Sequence, residues 1–345
     1  MKRYSQLYLK ICDIENIEAA YRYVRLGKRY DKNAMIFGYD VFNNIIQIRN
    51  ELIGNGKTYK IGQYRQFIIR EPKERLIQYL SIRDRIVQQS LHQIINPIFE
   101  KCFIYDSYAC RKGKGTHRAM KRLKYFLNAA QDKWNCKELY YLHCDIHKFF
   151  PHIDHNILYS LICHKIKCPD TLKLIKHIID SSTSNPGLPI GNLFSQLAAN
   201  IYLNVLDQFI KHELRNRFYL RYMDNFIIIH HDKKYLQNVK NKIEAFLDNR
   251  LHLQFNHKLT LIDKAANGIE FVGYIVYVDH VKIKKASIKR MKKRLRVLQV
   301  MYREGRISLP EIRQRIQSWL GHCCHADAKK ITEKILANAI FIKHY

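Results

Sequence analysis

A chain of 345 residues with 47% hydrophobic content can bury a sizeable core, which excludes gross disorder, and its length suggests two or three packed units. Lys plus Arg number 60 against 30 Asp plus Glu, and the resulting formal charge of +30 is spread along the chain; a polyanion-lined groove explains that spread better than a solubility tail. No apolar run is long enough for a membrane span, MKRYSQLYLK lacks a signal-peptide core, and nine scattered cysteines suit a reducing cytoplasm, so neither a membrane partner nor a disulfide framework is expected.

In chain order, residues 1–60 read as mostly helical and basic, with Gly54-Asn55-Gly56 ending a segment. QYRQFIIREPKERLIQYL reads as strand, turn at Glu71-Pro72-Lys73-Glu74, strand. That hairpin sets Lys73 and Arg75 close together, either as a solvated turn or as two cations gripping phosphate. Arg83 to Glu100 has apolar residues at near-helical spacing and reads as an amphipathic helix. Arg111, Lys112 and Lys114 lie on a glycine-interrupted loop entering another helix, where glycine permits close backbone approach to phosphates. No Walker pattern is present, so a Gly-Lys-Gly there is a weak signal by itself.

Leu139 to Cys144 reads as a buried strand with Asp145 at its end, followed on the same loop by Phe149-Phe150. An acid closing a core strand is a site candidate. Asp154 reads as a helix N-cap, a structural role. The loop Gly187-Leu-Pro-Ile-Gly191 enters a helix whose small residues, Ser195, Ala198 and Ala199, allow close approach of a ligand or another backbone.

FYLRYMDNFIIIHH, residues 218–231, reads as a hairpin whose polar centre is Met223-Asp224-Asn225. A carboxylate held out between apolar strands needs a cationic partner, and Mg²⁺ is the usual one beside phosphates; a plain Asp-Asn turn explains the same residues. Beyond it come a helix over 234–248, strands from LHLQFNHKLTLI and GIEFVGYIVYVDHVKIKK, and turns at Asn256 and Gly273. A last helical unit begins near Ala286. Ile288, Met291, Leu295, Leu298 and Tyr302 mark its apolar face, and Lys289, Lys292, Lys293 and Arg296 are among the cations on its other faces. A second helix covers 309–320. His322-Cys323-Cys324-His325 lacks zinc-site spacing and a second ligand pair.

Taken together, these blocks resemble the reverse transcriptase family. The residues that carry the resemblance are the basic hairpin, Asp145 with Phe149-Phe150, the Gly-Pro-Gly helix, Tyr222-Met223-Asp224 and Phe271-Val272-Gly273-Tyr274. Within that family ACRKGKGTH, KFFPHID, GLPIGNLFSQLAANIY, RYMD and SWLGH are most similar to the enzymes of diversity-generating retroelements, and Ser195-Gln196 points the same way.

The resemblance implies an α+β right-hand polymerase fold. Fingers with an N-terminal helical extension would cover 1–138, a palm 139–284 with a fingers insertion at about 160–186, and a small helical thumb 285–345. It implies RNA-directed DNA synthesis with two Mg²⁺ ions, for which Mn²⁺ can substitute. Asp145 and Asp224 would be the palm acids, and Ile146 would lend a backbone carbonyl. Lys73, Arg75, Phe149, Phe150, Ile190, Gly191 and Gln196 would meet the incoming nucleotide, with Phe150 excluding a 2′-hydroxyl. Arg111, Lys112, Lys114, Tyr222, Met223, Gly273, Lys289, Lys292, Lys293 and Arg296 would hold primer and template. Partners would be template RNA, cDNA, dNTPs and an oligomeric basic accessory protein, in the cytoplasm of a prokaryotic cell or encoded by a phage.

Two departures stand out. Asn225 occupies the second acid position of the YxDD box, which makes a catalytically impaired nucleic-acid-binding protein an alternative. Ile190 stands where accurate relatives place Gln, which fits mutagenic copying. A phage-defence or retron-type enzyme is the other alternative.

Overall fold

Short polar side chains open most of the N-terminal helices. After α1 (Tyr8–Ile11), Asp13, Asp31 and Asp40 each accept a backbone N–H at the starts of α2 (Ile14–Arg25), α3 (Lys32–Tyr39) and α4 (Val41–Ile53). The computed structural model describes residues 2–28, 30–54, 58–70, 74–182 and 186–342. Asn55, Gly56 and most of the expected turn at 71–74, Lys73 included, lie outside them; Gly54 caps α4.

The hairpin after α4 forms as expected. In β1 (Arg65–Ile69) and β2 (Arg75–Tyr79), Ile69 stands opposite Arg75. Ser81 caps α5 (Ile82–Glu100), whose Ile86, Val87, Leu91 and Ile95 are fully buried. Glycines at positive φ, Gly113 and Gly115, then lead into α6 (Thr116–Trp134). Next come β3 (Tyr140–Asp145), α7 (His155–Cys163), α8 (Pro169–Asp180) and α9 (Leu193–Gln208). The expected N-cap Asp154 accepts from the N–H groups of Asn156 and Ile157 at 2.8 and 3.0 Å. The central hairpin is β4 (Tyr219–Tyr222) and β5 (Asn225–His230), and α10 (Lys233–Leu251) follows. The chain continues through β6 (Leu261–Lys264), β7 (Ile269–Phe271), β8 (Tyr274–Val276) and β9 (Val281–Ile283). It ends on α11 (Lys285–Arg303), α12 (Leu309–Cys323) and α13 (Lys329–Ala337).

Among the described residues the strands form three sheets, with orders β1-β2, β4-β5-β3-β6 and β7-β8-β9. The stretch LHLQFNHKLTLI yields less strand than its composition suggests. His252 takes a positive φ of 49°, Phe255 makes only an isolated bridge to Ile146, and regular pairing starts at Leu261. No helix among the described residues is long and apolar enough to cross a membrane.

The chain divides into two units. One comprises Met1–Cys110, Asp145–Asn216 and Asn241–His257; the other comprises Arg111–Cys144, Arg217–Lys240 and Lys258–Tyr345. In the first, α5 packs against α2 and α9, and Ala198 and Ala199 are fully buried. In the second, α6 lies along β4, β5 and β8, with Phe126 and Trp134 edge-on to Phe218 at 5.5 and 5.3 Å. The apolar face of α11 behaves as its spacing predicts. Met291, Leu295 and Leu298 are buried, against partners that include Trp319 and Ile335 for the first two and Ile307 and Ile312 for the third. Each such burial contributes about 1.5–3 kcal/mol. Cys323 belongs to the first of these clusters, so the His322–His325 stretch has one of its thiols spent on packing.

Candidate active site

The hairpin turn is tight, as the sequence suggests. Tyr222 pairs with Asn225, so the loop is only Met223-Asp224, and Asn225 is the first residue of β5. Met223 takes a left-handed φ of 57°, which a two-residue hairpin requires at its first loop position. Leu220, Phe226, Ile227 and Ile228 are fully buried and hold the strands. Arg221 is fully buried as well, and its Nη1 donates to the Met223 carbonyl at 3.0 Å. A buried guanidinium must find acceptors, and this one takes a turn carbonyl, fixing the loop that presents Asp224.

β5 lies beside β3 in the sheet, and His143 on β3 reaches Asn225. The His143 Nε2–Asn225 Oδ1 distance is 3.0 Å, so the ring N–H donates to the amide oxygen. Asn225 therefore has its oxygen engaged by a histidine.

Asp145 ends β3 and is half-buried. The Asn256 side-chain amide donates to its Oδ1 at 3.1 Å, and the Asn256 backbone N–H to its carbonyl at 2.7 Å. His147 N–H donates to Gln254 O at 2.8 Å, so residues 254–256 clamp both sides of Ile146, whose side chain is buried. Lys148 takes φ 40°, which breaks strand alternation before the aromatic pair. The consequence corrects one expectation. Phe149 is only 2% exposed, with its ring 6.4 Å from that of Tyr202, so it is core; Phe150, half-buried, is the member with accessible surface.

The Gly-Pro-Gly loop lies across the β1-β2 hairpin. Gln78 N–H on β2 donates to Ile190 O at 2.8 Å. Gly191 has φ 106°, and a Cβ there would sit 2.7 Å from Ile77 Cγ2 and 3.1 Å from Gln78 O, so only glycine fits. Asn192 caps α9 through Phe194 N–H and donates to the Tyr64 hydroxyl at 3.1 Å. Arg75 is exposed at the start of β2, and Gln196 is half-buried on the first turn of α9.

The nucleic-acid candidates fall mainly in the second unit. Arg111 and Lys114 are half-buried and Lys112 exposed on the loop before α6. Gly273, at φ 93°, turns β7 into β8, and the Tyr274 hydroxyl donates to His322 O at 2.9 Å. His117 lies 3.7 Å, ring to ring, from His325. Burial, then the neighbouring histidines, hold His117 below the usual imidazole range, and burial chiefly does the same to His322. Lys289, Lys292, Lys293 and Arg296 are all exposed on α11.

Sequence reading missed Arg221, His143 and Asn256. An arginine inside an otherwise apolar strand was an available signal. Asn256 looked like a turn residue, and its partner is 111 positions away.

Comparison with known proteins identifies the family. Residues 69–276 match the model described as reverse transcriptase (RNA-dependent DNA polymerase). The chain belongs to the reverse transcriptase family. It is 24% identical over 337 residues to the group II intron-encoded protein LtrA of Lactococcus lactis subsp. cremoris, covering 77% of this chain and 54% of that protein. It is 23% identical over 234 residues to protein YkfC of Escherichia coli, covering 56% and 61%. This reverse transcriptase chain thus spans about half the length of its Lactococcus relative. Apo telomerase from Candida tropicalis superposes with a TM-score of 0.53 at 15% identity, covering 87% of this chain and 64% of that one, which places the fold in the polymerase class.

Among the described residues no group of three or more His, Cys, Asp or Glu converges as metal ligands. Asp145 and Asp224 each carry the carboxylate oxygens that Mg²⁺ takes as ligands.

Proposed function

We propose that this chain is an RNA-directed DNA polymerase that copies a dedicated RNA template within a ribonucleoprotein, and that its copying is error-prone. One observation carries the reading. In a reverse transcriptase family chain, the strand ending in Asp145 neighbours the strand that follows the Tyr222-Met223-Asp224 turn.

Asp145 and Asp224 would hold two Mg²⁺ ions, with the Ile146 carbonyl as a further oxygen donor. When bound, these ions lower the pKa of the attacking 3′-hydroxyl and stabilise the leaving pyrophosphate. The chain's own residues do the positioning. Asn256 fixes the Asp145 carboxylate, and Arg221 fixes the turn that carries Asp224. Phe150 lies against the sugar and favours deoxynucleotides. Arg75 and Lys73 meet the triphosphate, and the Ile190–Gln78 bond holds the loop that faces the nucleotide. The cations of α11 hold the duplex by its phosphates, which position without reading sequence.

Assignment to a diversity-generating retroelement is supported by Ile190, by Ser195-Gln196 and by RYMD. An oligomeric basic accessory protein and a cytoplasmic, prokaryotic or phage setting belong to the same proposal. A second reading, a nucleic-acid-binding scaffold with impaired catalysis, is favoured by Asn225, whose oxygen already serves His143.

Primer extension on an RNA template with Mg²⁺ and with Mn²⁺ separates them. The parent chain or its Asn225→Asp variant should extend the primer, and Asp145→Ala and Asp224→Ala should abolish extension at unchanged RNA occupancy. Inactivity of both parent and Asn225→Asp supports the scaffold.

A further inference from the structure

The first unit contains a cavity of about 380 Å³ lined by α2, α5 and the start of α9. Asp145, Phe150 and Ile190 are not among its lining residues. Its walls include Tyr23, Lys28, Arg85, Gln88 and Gln89, and it shares Gly191 and Gln196 with the loop assigned to the incoming nucleotide. Arg85, Gln88 and Gln89 stand three and four residues apart on α5, so they share one helix face.

Two of these side chains are unusual. Gln88 is 2% exposed and Gln89 is 4% exposed, yet Gln88 Nε2 and Gln89 Oε1 have no hydrogen-bond partner among the described residues. Gln89 Nε2 is satisfied, by Gln93 Oε1 at 3.0 Å, which fixes its free oxygen as an acceptor. Buried polar atoms normally find partners, so an orphaned pair side by side on a cavity wall needs an explanation. Exchanging the amide oxygen and nitrogen of Gln88 still leaves one polar atom unpartnered there.

The cations are equally telling. Burial lowers the proton affinity of Lys28, the Arg85 charge adds to that, and Asp31 offsets part of it; burial lowers that of Arg85 too, and Asp31 again offsets only part. Two half-buried cations facing one cavity are relieved by an anion.

We infer that this cavity is a second nucleotide site, which takes a base on Gln88 and Gln89 and its phosphate on Lys28 and Arg85. The chemistry matches part by part. Glutamine amides recognise the donor and acceptor edges of bases, guanidinium and ammonium groups bind phosphate, and the exposed Tyr23 offers a stacking face. The volume is within the range of small-ligand pockets. The occupant is either an unpaired nucleotide of the template strand, which rests on the polymerase reading, or a free nucleotide.

The test uses Gln88→Met, which keeps the shape and deletes the orphaned group, and Arg85→Met. Binding is measured in two arms, by calorimetry with 5′-AMP, GMP, CMP and UMP, and by anisotropy with RNA–DNA duplexes whose template 5′ overhang is zero or three nucleotides. Gln88→Met should leave the melting temperature unchanged or raised, because a group without a partner contributes nothing to the empty fold. It should weaken binding about fivefold in at least one arm, and Arg85→Met by more. A response to mononucleotides alone identifies a free nucleotide. A gain from the overhang that both variants abolish identifies the template strand. The inference is overturned if neither ligand's affinity changes in either variant, or if Gln88→Met lowers the melting temperature markedly. Failure of the polymerase reading would show separately, as absent extension by Asn225→Asp, and the mononucleotide arm would still decide the cavity.

Discussion

Replacing Gly191 with alanine tests how the loop before α9 is held against β2. The substitution meets two obstacles. At φ 106° an alanine is outside its allowed regions, which costs about 1–2 kcal/mol. The new Cβ would also stand 2.7 Å from Ile77 Cγ2 and 3.1 Å from Gln78 O. The Ile77 methyl can rotate away, but Gln78 O is backbone in β2. Relief therefore requires the loop to lift, which breaks the 2.8 Å Gln78 N–H to Ile190 O bond, a loss of about 1 kcal/mol. Gly115→Ala is the control. Gly115 has nearly the same φ, 109°, and nothing among the described residues within 4 Å of an added Cβ. Both variants gain similarly from a stiffer unfolded chain, so that gain cancels in the difference. The excess for Gly191→Ala should be about 1 kcal/mol. Hydrogen exchange reads it locally, and the Gln78 amide should exchange about fivefold faster in Gly191→Ala and at the parental rate in Gly115→Ala. Equal Gln78 exchange in the two variants would refute the steric account of this loop.

Three further outcomes are expected. Removing Lys289, Lys292, Lys293 and Arg296 together should flatten the slope of log affinity against log salt by roughly three, at about 0.7–0.9 per phosphate contact; an unchanged slope would move the duplex-binding surface away from α11. Ile190→Gln in an Asn225→Asp background should lower misincorporation several-fold through one added hydrogen bond of about 1 kcal/mol, and equal matched-to-mismatched ratios for the two residues would remove that mechanism. His117 and His322 have depressed folded-state pKa values, so the unfolded chain takes up their protons first. Stability should be full above pH of about 6.5 and fall as pH drops below it, and urea titrations of His117→Gln should show a shallower loss.

Much of the fold was legible because local signals and burial agreed. Apolar and β-branched residues flanking a polar centre gave the hairpin, the three- and four-residue spacing gave the buried face of α11, and Asp154 capped α7 as expected. What stayed hidden was set by distant partners or by backbone strain. Phe149 and Phe150 are adjacent and alike, and which one faces the core follows a positive φ at Lys148 that nothing in the composition requires. Residues 252–256 look like a strand but serve as a clamp on Asp145, with Asn256 donating across 111 positions. The helix at Lys329–Ala337 is short, and its role becomes visible only when Ile335 joins the cluster around Trp319. Arg221 was passed over because its strand was read by its apolar neighbours.

At position 225 charge and fold are separable. A carboxylate there would accept the same His143 bond that the amide oxygen accepts now, with the added strength of a charged acceptor. The strand register, fixed by Tyr222 opposite Asn225 and by the buried residues behind them, does not depend on that charge. Asparagine at this position therefore removes one unit of negative charge from the neighbourhood of Asp224 without loosening the hairpin that carries it. The Arg221 bond to the Met223 carbonyl is independent of the residue at 225, so under the proposed function the difference between a working enzyme and a binding scaffold reduces to metal affinity. A weakened divalent site is rescued by a tighter-binding ion. Mn²⁺ binds nitrogen and oxygen ligands with wider tolerance than Mg²⁺, which demands near-ideal octahedral geometry. If Asn225 only weakens the site, the parent chain extends primers better with Mn²⁺ than with Mg²⁺, and Asn225→Asp narrows that gap.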